Sequence, residues 1–325
     1  MKSEGILFSV IVPACNAEKT LPACLEALGD QSVARTDYEV IVVDDGSTDR
    51  TSETAKRSNV KYLFQPNQGP AAARNRGAAE ARGHLIFFTD SDCVPDHKWL
   101  EEMARPFGDP EVAGVKGAYK TKQRELAARF AQAEFEDRYD LLRKSPAIDM
   151  VDTYSAAFGK DVFSEIGGFD RSFPVANNED TDLSYRLVAA GRKLVFNPEA
   201  FVYHTHPDTF VKYLEIKFWR GYWRMVVYRR YPDKAVKDSY TPGVVKVQTV
   251  LMALSFLLFP VSPFVNTFLY LALLSWGVIV VSALPFSLKT LRKDKPVGLI
   301  SPGIVLLRSM VFATGSLFAI ARHLV

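Results

Sequence analysis

Cysteine is scarce in this 325-residue chain: Cys15, Cys24 and Cys93 stand at irregular spacing with no Cys-x-x-Cys pair. That fits reduced thiols in a cytosolic compartment better than a disulfide framework. No Gly-x-Gly-x-x-Gly follows the first apolar run and no Gly-x-x-x-x-Gly-Lys-[Ser/Thr] occurs, so neither of the usual phosphate loops is supported. The formal net charge is only +3, and the first two thirds carry no dense Lys/Arg block. Nucleic acid is therefore not expected as a partner. The opening "MKSEGILFSVIVPAC" has no signal-peptide pattern, because its apolar run is short, follows an acidic residue and contains Pro13. This end of the chain is expected in the cytoplasm. Internal repeats and low-complexity stretches are also absent.

What is present first is alternation. "FSVIVPA" (8–14), "YEVIVVDDG" (38–46), "VKYLFQ" (60–65) and "LIFFTD" (85–90) are short β-branched or continuously apolar runs. Between them "AEKTLPACLEALGDQ", "TDRTSETAKRS" and "GPAAARNRGAAEARG" have helical periodicity, with Asp49 as a candidate N-cap. This order predicts an α/β domain, 1–206, built on a mostly parallel sheet covered on both faces. "LAARFAQAEFEDRYDLLRK" (126–144) reads as a long helix.

Long hydrophobic runs then take over. Residues 244–261, 264–286 and 299–321 are three apolar segments, each near the roughly 20 residues a membrane helix needs, and together they define a transmembrane region over 243–325. Pro260 and Pro263 leave the first two so close that a re-entrant hairpin is an alternative to two spans. "SLKTLRKDKP" between the second and third carries Lys289, Arg292, Lys293 and Lys295, which places that loop and the N-terminal domain on the cytoplasmic side. Arg308 within the third segment should face protein or snorkel. Ahead of the spans, in a juxtamembrane region 207–242, "TFVKYLEIKFWRGYWRMVVYRRYP" sets Leu214, Phe218, Tyr222 and Met225 on one helical face and Lys217, Arg220 and Arg224 on another. With Trp219 and Trp223 it describes an interfacial amphipathic helix.

Two acidic clusters sit at expected strand ends: Asp44 and Asp45, and Asp90 and Asp92. In open α/β sheets ligands bind beyond the carboxyl ends of strands. Asp90-Ser91-Asp92 suits Mg²⁺ or Mn²⁺, which use one or two carboxylates and complete their shell with substrate phosphates. The same spacing also fits an Asx-type turn closing the strand. Glu179, Asp180 and Asp182 crowd the first turn of a helix over "EDTDLSYRLVAAG", where complementing the helix dipole is the plain alternative to catalysis.

Taken together, "SVIVPACN" (9–16), "VDDGSTDRT" (43–51), "NQGPAAARNRG" (67–77), "TDSDCVP" (89–95) and "GGFDRSF" with "NNEDTDLSYRL" (167–187) resemble the inverting family 2 glycosyltransferases of the Rossmann-like GT-A fold. The resemblance covers about residues 7–206. It implies that Pro13 and Asn16 lie beside a nucleotide and that Asp44 or Asp45 binds its base. It further implies that Arg74, with Arg76, contacts the donor near its phosphates, that Asp92, with Asp90, holds a divalent metal, and that Asp180 is the catalytic base, with Glu179 and Asp182 beside it. A cation there would act as a Lewis acid on a diphosphate leaving group, while a general base contributes about 10²- to 10⁴-fold. One base and no covalent intermediate means inversion.

His204 and His206 can share a strand face, as further metal ligands or as contacts to acceptor or lipid phosphate. Processive members carry Gln-x-x-Arg-Trp after the base; "KFWRGYWR" here has Trp219-Arg220 and Trp223-Arg224 without the Gln, which favours transfer of one or a few sugars at the membrane face. The expected donor is a nucleoside-diphosphate sugar, UDP-sugar first, and the expected acceptor a lipid-linked saccharide. A polyprenyl-phosphate sugar synthase and a non-catalytic sugar-nucleotide-binding membrane protein are the alternatives.

Overall fold

A computed structural model describes residues 7–173, 178–236 and 238–324; Asn177 of the "NNED" motif lies outside them. The chain forms two compact units, the first made of residues 1–122 and 139–205, the second of 123–138 and 206–325.

The first unit holds strands β1 (Phe8–Ala14), β2 (Tyr38–Asp45), β3 (Lys61–Gln65), β4 (Leu85–Phe88), β5 (Cys93–Pro95), β6 (Val112–Lys120), β7 (Ala156–Gly159) and β8 (Lys193–His204). They make one eight-stranded sheet in the order β3-β2-β1-β4-β7-β6-β8-β5. The half that the sequence pattern predicts, β3-β2-β1-β4, is parallel throughout. Beyond it β7 runs antiparallel to β4 and β6, and β5 antiparallel to β8, so the sheet is mixed. Val10, Ile11, Val12, Ile41, Val42, Val43, Ile86, Phe87 and Phe88 are fully buried, as expected for strands covered on both faces. Each such side chain contributes about 1.5–3 kcal/mol of burial.

Helices α1 (Leu21–Gly29), α2 (Thr51–Arg57), α3 (Pro70–Ala79), α4 (Trp99–Ala104), α5 (Leu126–Leu142), α6 (Lys160–Glu165) and α7 (Glu179–Ala189) follow the chain. α5 gives its residues up to Arg138 to the second unit. α3 lies tight on the sheet because Gly77 has no side chain: a Cβ there would overlap the Ile11 Cγ2. Asp49 is not the N-cap of α2, a place taken by Arg50. Its Oδ1 still accepts from the Thr51 amide at 2.9 Å, one position further out than the spacing suggests.

The second unit continues with α8 (Phe210–Arg230), α9 (Pro232–Val236), α10 (Gly243–Leu258), α11 (Asn266–Ser282), α12 (Leu284–Leu291) and α13 (Lys295–Leu324). Among the described residues, three helical stretches, Gly243–Val261, Asn266–Leu291 and Lys295–Arg322, are long and apolar enough to cross a membrane. The basic "SLKTLRKDKP" segment is largely helical rather than a loop, since α12 runs to Leu291 and α13 begins at Lys295. Lys289 pairs with Asp137 at 2.6 Å and Lys293 with Glu136 at 2.8 Å.

The faces of α8 also differ from the pattern. Tyr213, Lys217, Gly221, Arg224 and Val227 are buried, while Trp219 is exposed. Lys217 can be buried because its Nζ reaches Glu134 Oε2 at 2.8 Å, and Glu134 Oε1 takes Arg308 Nη1 at 2.5 Å. Arg308 thus faces protein, donating also to Gln248 Oε1 at 2.5 Å. Gly221 lets α8 approach α13, for a Cβ there would overlap the Phe312 carbonyl oxygen.

Candidate active site

The carboxyl ends of β1, β2 and β4 gather the conspicuous acids. Asp44 and Asp45 end β2 and are buried. Asp44 accepts from the Ser47 amide at 2.9 Å and from the Tyr62 hydroxyl at 2.8 Å. Asp45 accepts from Gln65 Nε2 at 2.7 Å and from the amides of Gln68 and Gly69, both at 2.8 Å. Its carboxylate therefore pins the turn that enters α3. Asn16 sits just past β1 at φ 51°, with Oδ1 accepting from the Thr48 amide at 2.9 Å. This joins the ends of β1 and β2 at the rim, and Pro13 pairs with Val43 one step inside.

Arg74 on α3 is the hub, 3% exposed. Its Nη2 donates to Asp90 Oδ1 at 2.8 Å and its Nη1 to Glu179 Oε1 at 2.7 Å. Burial alone would lower its pKa, but Asp90 and Glu179 outweigh that and raise it. One guanidinium thus ties the acidic pair after β4 to the first turn of α7. Arg74 Nε and Glu179 Oε2 are buried without a hydrogen-bond partner among the described residues, so the arrangement leaves polar valence to be filled. Arg76 lies on the exposed side of α3 and donates to the Phe64 carbonyl at 2.5 Å. Its observed partner is on β3 and not in the Arg74 cluster.

α7 presents its three acids in three environments. Glu179 is pushed up to about 7 by burial and by Asp180, against the lowering effect of Arg74. Asp180 is half-buried, with Oδ1 accepting from the Thr181 amide at 2.7 Å. Asp182 is fully enclosed and paired with Arg186 at 2.9 Å. Arg186 also donates to the carbonyls of Ile166 and Gly168, each at 2.6 Å, so Asp182 supports the glycine turn rather than Asp180 directly. Asn75 grips the same turn through Phe169, accepting from its amide and donating to its carbonyl, both at 2.8 Å. Gly167 and Gly168 there have φ of +84° and +66°, values that favour glycine.

On the other side of the acidic pair, Asp92 Oδ1 stands 3.7 Å from His204 Nδ1. Burial and Asp90 raise the Asp92 pKa, with His204 opposing. Asp92, Cys93 and His204 offer donor atoms all within 4.8 Å of one another, a set that fits a divalent cation. His206 does not join them. β8 ends at His204, so the alternation that would align the two histidines stops, and His206 Nε2 meets Gln132 Oε1 at 2.9 Å in the second unit. Cys93, Asn75, Arg186 and Tyr119, whose ring stacks on His204 at 4.4 Å, are features the motif reading missed. The Asn75 of "ARNRG" and the double glycine were visible in the sequence, but their pairing across the fold was not.

Residues 9–167 match the family model described as glycosyl transferase family 2. Those residues, just under half of the chain, are similar to that family, and the sheet is mixed and GT-A-like. Among curated proteins it is 30% identical over 208 residues to the pre-mycofactocin glycosyltransferase of Mycobacterium tuberculosis (strain ATCC 25618 / H37Rv), an alignment covering 60% of this chain and 43% of that one. It is 28% identical to the glycosyltransferase AglE of Haloferax volcanii, covering 58% of this chain and 63% of that one. The chain thus spans less than two thirds of these relatives. Among solved structures it is similar to the mannosyltransferase PcManGT of Pyrobaculum calidifontis, solved with GDP-Man and Mn²⁺. That likeness has a TM-score of 0.60 at 19% identity, covers 96% of this chain and 87% of that one, and shows the fold.

Proposed function

We propose that the protein is a divalent-metal-dependent, inverting, non-processive glycosyltransferase that moves a sugar from a nucleoside-diphosphate sugar, UDP-sugar first, to a saccharide carried on a membrane lipid. The observation that carries the reading is the Arg74 bridge, because it ties a DxD-type pair to an acidic helix start. A protein that only bound sugar nucleotides would need no carboxylate beyond the metal side. In this reading the nucleotide lies over Pro13 and Asn16, with Asp44 or Asp45 toward its base.

Asp92 and His204 would hold the cation, Mn²⁺ or Mg²⁺, with Asp90 kept in place by Arg74. When bound, the ion offsets charge on the diphosphate as the glycosidic bond to it breaks. Asp180, half-buried and partnered on one oxygen by the Thr181 amide and hydroxyl, takes the acceptor hydroxyl proton as that oxygen bonds to the anomeric carbon. The mannosyltransferase with GDP-Man and Mn²⁺ supports the donor and cation classes. Three helices apolar enough to span support membrane association, and the basic residues Lys289, Arg292, Lys293 and Lys295 between the second and third favour a cytoplasmic catalytic unit. Tethering such a unit serves a purpose when its acceptor is also in the membrane.

The test offers detergent-purified protein a panel of isotope-labelled nucleotide sugars and a membrane-lipid extract, with Mn²⁺ or Mg²⁺. Label entering a lipid saccharide supports the reading. Label on polyprenyl phosphate itself would name the synthase alternative, and nucleotide binding with no transfer to any acceptor would leave a non-catalytic binder.

A further inference from the structure

The helical unit gathers more positive charge around α5 than the acids there answer. Glu134 takes Lys217 at 2.8 Å and Arg308 at 2.5 Å, and Asp137 takes Lys289 at 2.6 Å. Arg138, next on the helix, adds a fourth cation. Its Nε and Nη1 are buried and have no hydrogen-bond partner among the described residues. Its guanidinium carbon stands 5.4 Å from the Phe135 ring centre and 4.1 Å from that of Tyr240, contacts that steady the cation but fill no N–H group. Buried charges are paired and buried N–H groups are bonded, so an anion would complete a cluster in which four cations meet two acids.

The space for it is beside Arg138. A cavity of about 60 Å³ is lined by Arg138, Arg308 and the start of α10 at Pro242, Val244 and Val245. One water takes about 10–15 Å³ on such a measure, so the space suits a group of about four to six atoms. No side chain caps the first turn of α10, where backbone N–H groups and the helix dipole favour negative charge. Four cations less two acids leave two positive charges, and a phosphate monoester carries about −1.5 to −2 at neutral pH. Ala283, Phe286 and Val305 add an apolar wall.

We propose that Arg138, Arg308 and the start of α10 bind a phosphate group. The apolar wall favours the phosphate of a membrane lipid over the free ion. The inference goes beyond sugar transfer and does not depend on it, because every residue it uses lies in the helical unit.

The test melts the full chain in detergent with inorganic phosphate, with dioctanoyl phosphatidic acid, with dioctanoylglycerol, which lacks the phosphate, and with potassium chloride at matched ionic strength. Wild type should be stabilised by both phosphate compounds and by neither of the others. A larger shift with phosphatidic acid than with inorganic phosphate at equal concentration names the lipid as the source, and equal shifts name the free ion. Arg138→Gln removes the unanswered charge. Without phosphate this variant should melt no lower than wild type, while its affinity for phosphate, read from the concentration dependence of the shift, falls at least about tenfold. Arg57→Gln, an exposed arginine of the first unit, should respond as wild type does. An Arg138→Gln protein that melts lower than wild type without phosphate would make Arg138 a structural residue and overturn the site. So would a shift that chloride reproduces, a shift that survives Arg138→Gln, or no shift of wild type with either phosphate compound.

Discussion

Arg74 concentrates the electrostatics of the site in one side chain. Removing it leaves Asp90 and Glu179 without the cation between them, and breaking a buried pair in this way costs about 3–5 kcal/mol. Arg74→Gln should therefore lower the melting temperature by several degrees and abolish transfer, whereas an exposed change such as Arg76→Gln should do neither to a comparable extent; thermal unfolding and initial rates check both. Glu179 gives a pH signature. Its pKa in the fold, about 7, lies above the ordinary 4.5. Folding therefore favours the protonated form, and the stability this contributes is present below pH 4.5 and lost as pH rises through 7. A tenfold change in proton affinity between the folded and unfolded chain is worth about 1.4 kcal/mol. The melting temperature of wild type should fall between pH 4.5 and pH 7, and Glu179→Gln should flatten that fall. An equal slope in the variant would assign the dependence to another group.

At the scale of elements, the strands and helices of the parallel half were legible because each is a local signal, an apolar run or a 3.6-residue period. What joined them was not. Cys93 meets His204 through a register between strands 111 positions apart in the chain, and nothing in "TDSDCVP" or "FVYHTHP" encodes it. Arg74 reaches Glu179 across 105 positions, so the sequence could flag both residues without showing that they touch. Within α8, Tyr222 is buried as its face suggested, but two basic residues are buried as well, for a related reason. Local hydrophobicity put Lys217 and Arg224 on a separate polar face, but Lys217 is buried on Glu134 of α5 and Arg224 over the Tyr228 and Tyr240 rings. Two consequences are measurable in the purified protein. Glu134→Gln leaves Lys217 and Arg308 facing each other, and it should destabilise the helical unit by about 3–5 kcal/mol. Gly221→Leu forces α8 off α13 and should cost about 1–3 kcal/mol, seen as a lower melting temperature in detergent.

For the molecule as a whole, the membrane reading rests on three apolar helices and on a proposed acceptor that is itself lipid-borne. The full chain should stay with membranes through alkaline carbonate washing and float with vesicles; release by carbonate would mean that these helices do not span. The central claim is that one cluster of acids performs metal-dependent sugar transfer, and kinetics of two variants test it most directly. With the donor identified, transfer by wild type should require a divalent cation. Asp92→Asn should lose both cation-dependent nucleotide binding and transfer. Asp180→Asn should keep nucleotide binding while its turnover falls about 10²- to 10⁴-fold. Near-normal turnover in Asp180→Asn, or nucleotide binding in Asp92→Asn that still responds fully to the cation, would contradict the account.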